Sequence, residues 1–95
     1  MTSDVELSRS LMIMDTKDNV AVCLRALSAG EEIQATHNDK ILSVKVLEAV
    51  PLGHNVALSQ IAAGQAITKY GEIIGRATKD IFVGQHVHTQ NISDY

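Results

Sequence analysis

Residues 67–91 read ITKYGEIIGRATKDIFVGQHVHTQN. Short aliphatic runs alternate with glycines at 71, 75 and 84, and no apolar spacing of three and four residues lasts long enough for a helix. The pattern predicts short strands. Ile67 to Tyr70 and Ile73 to Ala77 flank a tight turn at Gly71-Glu72, residues 78–84 form another turn, and Gln85 to Asn91 form a last strand. Lys69, Tyr70, His86 and His88 then lie at strand ends, beside glycine turns.

The turn at Gly84 has relatives upstream. Ile81-Phe82-Val83-Gly84-Gln85-His86-Val87 runs aliphatic, two spacers, Gly, two further residues, aliphatic. The same frame spans Leu27 to Ile33, Val50 to Val56 and Ile61 to Ile67. Its physical sense is that the first aliphatic anchors a turn, the glycine takes a positive φ, and the last aliphatic starts the next strand. The glycines fall unevenly, at 30, 53, 64 and 84, so this is a reused turn and not a solenoid.

Nearer the N-terminus, Leu11 to Met14 and Val20 to Leu24 are short apolar runs on either side of Asp15-Thr16-Lys17-Asp18-Asn19, which predicts a hairpin. Thr36-His37-Asn38-Asp39 is a polar hairpin turn with His37 at the surface. In the strand from Ile41 to Val50, Leu42, Val44, Val46 and Val50 share the core face, interrupted by Glu48. Ser59 is placed to cap a single helical turn that Gly64 ends. The fold class expected is all-β: short bent strands, Gly-centred turns and one or two helical turns. Residues 1–10 read as a flexible lead-in, 11–91 as the domain and 92–95 as a C-terminal tail.

Composition removes several functions. A chain of 95 residues buries roughly 60–70% of its unfolded surface, enough for one core but not for a deep enclosed cleft. One Phe, two Tyr, no Trp and a net charge of −3 supply neither the stacking aromatics nor the basic face of a nucleic-acid reader. Cys23 is the only cysteine, so no intramolecular disulfide or cysteine-based zinc site forms. Its apolar setting predicts a buried, inert thiol. No basic, apolar signal sequence opens the chain and no stretch reaches the ~20 apolar residues of a membrane span. The expectation is a soluble cytoplasmic protein with no membrane partner.

His86 and His88 are two apart on an expected strand, so their rings share a face that Gln90 continues. Such a pair can ligate a metal but needs further ligands. His54 follows its glycine as Gln85 follows Gly84 and could approach if the turns cluster. Lys69 and Tyr70, beside the exposed amides of a turn at Gly71, suit capture of a carboxylate or phosphate. No Ser-His-Asp, Cys-His or paired-carboxylate set can be assembled. The chemistry is that of part of a site, to be completed from elsewhere.

Three ordered motifs, AVPLGHNVAL (49–58), AITKYGEIIGRA (66–77) and GQHVHTQN (84–91), together with DNVAV (18–22), resemble the small SAF-type domain of the altronate/galactarate dehydratase family. The resemblance implies a β-clip fold, found either as the N-terminal domain of a sugar-acid dehydratase or as a separate small subunit, including that of a sulfolactate sulfo-lyase. It implies β-elimination of water from a 2,3-dihydroxy acid, aided by Fe2+ or another divalent metal. The implied partners are a large catalytic subunit or domain and a sugar acid, with self-association left open. Carried onto this chain, the substrate-binding candidates are His54, Lys69, Tyr70, Gly71, His86 and His88, with Lys69 as carboxylate partner and His86 and His88 as metal ligands. The catalytic acid and base stay unassigned. Two departures stand out: Asn55 where the family usually has Lys, and Gln90 where it usually has a third His. SAF-like domains also occur as non-catalytic binding modules, which is the alternative reading.

Overall fold

The computed structural model describes residues 10–94, and among them every regular element is a strand. In chain order these are β1 (Leu11–Met12), β2 (Val20–Cys23), β3 (Glu32–His37), β4 (Lys40–Lys45), β5 (Asn55–Ala57), β6 (Ala66–Lys69), β7 (Glu72–Ala77), β8 (His86–Val87) and β9 (Ile92–Ser93). A central antiparallel sheet runs β1-β2-β5-β8; β3-β4 is a separate hairpin and β6-β7-β9 a second small sheet. The expectation of an all-β domain holds.

The four glycine turns are built alike. Their first aliphatics bridge in pairs, Leu27 with Val50 and Ile61 with Ile81, each pair exchanging both backbone hydrogen bonds at 2.8–3.0 Å. Each glycine N–H donates to a carbonyl four residues ahead of the opposing bridge residue: Gly30 to Val46, Gly53 to Cys23, Gly64 to Ala77 and Gly84 to Ala57. All four glycines have φ between 85° and 93°. All eight aliphatics that open or close the frame are buried. The result is an internal two-fold repeat, in which β2, turn, β3-β4 hairpin, turn, β5 recurs as β5, turn, β6-β7 hairpin, turn, β8.

Strand alternation then divides the core. On β2, in β5 and just beyond it, Ala21, Cys23, Val56 and Leu58 face a first cluster with Val44, Val46 and Val50. Val20 and Ala57 face a second cluster with Ile61, Ile67, Ile81 and Val87. The central strands are therefore buried on both faces, which is why their sequences are continuous apolar runs.

Three local expectations change. Residues 59–64 form a bend and a glycine turn, with no helical turn, because Ile61 is fixed by its bridge to Ile81 and Gly64 by Ala77. The hairpin turn before β7 is centred on Tyr70-Gly71, one residue early, both at positive φ. The tail expected after residue 91 supplies β9, whose Ile92 and Ser93 pair with Ala77 and Arg76. The lead-in lies outside the described residues except for Ser10, which is buried, with its carbonyl accepting the Leu24 N–H and its Oγ accepting Arg25 Nε–H.

Candidate functional site

Three of the four turns close themselves with a side chain. Glu31, Gln65 and Gln85, each just after its glycine, accept the N–H of Ser28, Ala62 and Phe82, three residues back. The second turn cannot do this: the matching position is Pro51, which has no N–H. The residue after its glycine is His54, so that side chain is released from turn closure. It turns instead toward β8, with its Nδ1 2.9 Å from His86 Nε2.

His88 completes the cluster. The imidazoles of His54 and His88 stack with centroids 3.9 Å apart, those of His54 and His86 at 5.1 Å and those of His86 and His88 at 5.7 Å, all within 24° of parallel. One nitrogen from each ring lies within 4.8 Å of the others, and all three residues are half-buried. The shared face expected of His86 and His88 is present, although β8 ends at Val87 and His88 lies in the bend that follows. Gln90, in the next turn, is also beside them, its Nε2 3.4 Å from His86 Nδ1.

Burial holds the His86 pKa below its ordinary 6.5, and the neighbouring His54 adds to this, while Glu48 opposes it. The cluster therefore favours neutral imidazole at His86, the form that can act as ligand or base. Three imidazole nitrogens suit a borderline cation such as zinc or iron. Metal–imidazole bonds of about 2.0–2.1 Å set ligand nitrogens about 3.3 Å apart around a tetrahedral ion, so a trio spread over up to 4.8 Å would close slightly on binding one. The donor set fits.

Lys69, Tyr70 and Gly71 are placed elsewhere. The Gly71 N–H donates to the buried Asp18 carboxylate at 2.8 Å, ahead of β2, whereas the His54 carbonyl accepts from Cys23 at the far end of β2. Asp18 and Cys23 are five residues apart, about 16 Å of strand. The Lys69 ammonium lies over the Tyr70 ring, 5.2 Å from its centroid. The six candidates thus fall into a histidine group and a hairpin-tip group on opposite ends of the central sheet.

Cys23 is fully buried and its thiol is pushed up to about 11 by burial, which keeps it protonated and unreactive. Two residues that sequence reasoning passed over touch the site. Glu48 accepts the His86 N–H, and fully buried Asn91 binds the backbone on both sides of Val87. Glu48 had shown itself only as a break in an apolar alternation.

A sequence profile for the altronate/galactarate dehydratase SAF domain matches residues 9–95. The chain belongs to that family. The SAF domain is 35% identical over 83 residues to an altronate dehydratase of Bacillus subtilis, covering 87% of this chain but 16% of that protein. It is 42% identical over 74 residues to the altronate dehydratase of Escherichia coli K12, covering 78% of this chain and 14% of the relative. The chain thus spans about a sixth of those dehydratases or less. Against the (2R)-sulfolactate sulfo-lyase subunit alpha of Chromohalobacter salexigens it is 30% identical over 89 residues, 90% of this chain and 95% of that subunit. Relatives of the SAF domain are therefore parts of larger lyases, as a domain or as a subunit. Among the described residues no helix is long and apolar enough to cross a membrane.

Proposed function

We propose that this chain is the small subunit, or the small domain, of a lyase that acts on sugar acids, and that it contributes one wall of a site completed by a larger catalytic partner. The observation that carries this is the convergence of His54, His86 and His88 from two different turns, one of which gives up its own closure to present His54. The trio is half-buried, and Lys69, the expected carboxylate partner, lies at the other end of the central sheet, so the anion-binding groups that dehydration also needs would come from elsewhere. A partner would supply those, consistent with family members in which this domain is a minor part of the chain.

β-Elimination removes the proton α to a carboxylate and expels a hydroxyl. The trio would hold Fe2+ or another divalent cation, which when bound supplies Lewis acidity toward a substrate oxygen. The chain's own part is to orient that cation against the partner and, through the stacked rings, to exclude water from one side. Lys69 and Tyr70 would serve a different contact, because the length of β2 separates them from the histidines. A cytoplasmic setting agrees with the buried, protonated Cys23. A sulfo-lyase, expelling sulfite in place of water, is the second reading, favoured by the match along 95% of a sulfo-lyase alpha subunit.

The test is reconstitution. The purified chain alone is expected to leave altronate, galactarate and sulfolactate unchanged, and turnover of one of them is expected once the larger lyase subunit of the same host is added. Which acid reacts separates the two readings. Turnover by the isolated chain would overturn the partner requirement, and His54→Gln or His88→Gln variants that reconstitute full activity would overturn the role of the trio.

A further inference from the structure

β8 is an edge strand, and the way its edge is finished bears on the histidines. On its inner side β8 pairs with β5, Val87 opposite Asn55 and His86 opposite Val56. The flanking bonds to β5 come from Ala57 N–H to the Gln85 carbonyl and from Gly84 N–H to the Ala57 carbonyl. The N–H and C=O of His86 point the other way, toward an edge that would ordinarily be wet or paired with another strand. Side chains take them instead. The His86 N–H donates to Glu48 Oε2 at 3.2 Å, and the His86 carbonyl accepts from Asn91 Nδ2 at 2.9 Å and from Gln90 Nε2 at 3.3 Å. The same Asn91 accepts the His88 N–H through Oδ1 at 3.0 Å.

We infer that Glu48 and Asn91 are positioning residues that fix the backbone of His86 and His88 so that the two imidazoles meet His54. Asn91 is a buried internal clamp: one amide bridges both histidines, standing in for the missing continuation of the strand. Glu48 is the outer stop. Its segment is docked against the fourth turn by the Leu47 N–H to Gly84 carbonyl bond at 2.9 Å, so the carboxylate reaches His86 from 38 residues away. This explains why a charged residue interrupts an otherwise apolar face. Partners bound to a ligand imidazole itself tune metal affinity about 10- to 100-fold; Glu48 and Asn91 hold the backbone that carries the rings, so their effect belongs at or below the lower end of that range.

The inference deepens the proposed cation site and rests on it in one arm of its test only. Glu48 is exposed, so its variants should fold. The chain is titrated with Zn2+ alone, and amide hydrogen exchange is followed residue by residue in the metal-free protein. Glu48→Ala is expected to weaken Zn2+ binding about 10-fold and to speed exchange selectively at His86. Glu48→Gln keeps an oxygen to accept the amide and is expected to restore both. Equal loss in E48A and E48Q would assign Glu48 a role through its charge and overturn positioning. Unchanged His86 exchange in E48A, or a uniform speeding at all amides, would overturn it as well. If the native chain binds no Zn2+, the cation reading fails while the exchange arm still decides the positioning.

Discussion

His86 is the residue at which burial, hydrogen bonding and charge meet. Its pKa is lowered chiefly by burial and secondarily by His54, so the folded protein takes up a proton at this ring only below the ordinary 6.5. The unfolded chain binds that proton first as pH falls, so protonation favours unfolding. The contribution of His86 to stability is thus fully present above about 6.5 and is lost as pH drops below it. The nitrogen-15 or carbon-13 ring shifts of His86 should titrate with a midpoint below 6.5, and the urea midpoint should fall between pH 7.5 and 5.5 by less in His86→Gln than in the parent. A His86 midpoint at or above its ordinary value would contradict the account. The histidine pair was legible from the sequence because two positions apart is one face of a strand. Its third member was legible only as a frame position after a glycine. What made His54 available, the missing N–H of Pro51, is a difference between copies of a turn and emerges once all four are superposed.

At the scale of the turn, the glycine frame carried most of the fold in plain view, since positive φ and flanking aliphatics leave a mark that a single sequence displays. Turn geometry is common to all four copies, but their surroundings differ. An added Cβ at Gly30 would meet nothing within 4 Å, whereas at Gly84 it would overlap the Lys45 carbonyl, where the β4 end crosses the fourth turn. Gly30→Ala is therefore expected to cost only the left-handed backbone penalty, about 1–2 kcal/mol. Gly84→Ala adds a backbone clash that cannot relax without moving β4, and should be the more destabilising by at least about 1 kcal/mol, measured as the difference in urea unfolding free energy. Equal costs would show that the crossing is loose. Elements held by side chains were less legible. The strand expected to run to Asn91 stops at Val87 because the Asn91 amide takes over from the ladder, and the Ser59 turn is not helical because its bonds go to the opposing bridge. Lys69 and Tyr70 were grouped with the histidines by the family resemblance, and the span of β2 separates them.

Across the whole molecule the repeat raises the question of whether the two halves are independent. Each has its own hairpin, its own bridged pair of turns and its own apolar cluster, and the molecule is elongated, 42 × 25 × 19 Å. Yet β2 and β5 alternate their side chains between the clusters: Val20 and Ala57 enter one, Ala21 and Val56 the other. Neither cluster can lose its lining without unseating a strand of the other, and a site drawn from the second and fourth turns depends on that shared sheet. Leu27→Ala in the first cluster and Ile61→Ala in the second should each cost about 2–5 kcal/mol, and in both variants one cooperative transition should remain. The informative readout is the distant half: amide protection in β6-β7 should fall in Leu27→Ala by the same free energy as in β3-β4, and the reverse should hold for Ile61→Ala. Two separable transitions, or protection lost in the mutated half alone, would mean that the halves fold as separate units and that the histidine trio is held by local turn bonds without the support of the central sheet.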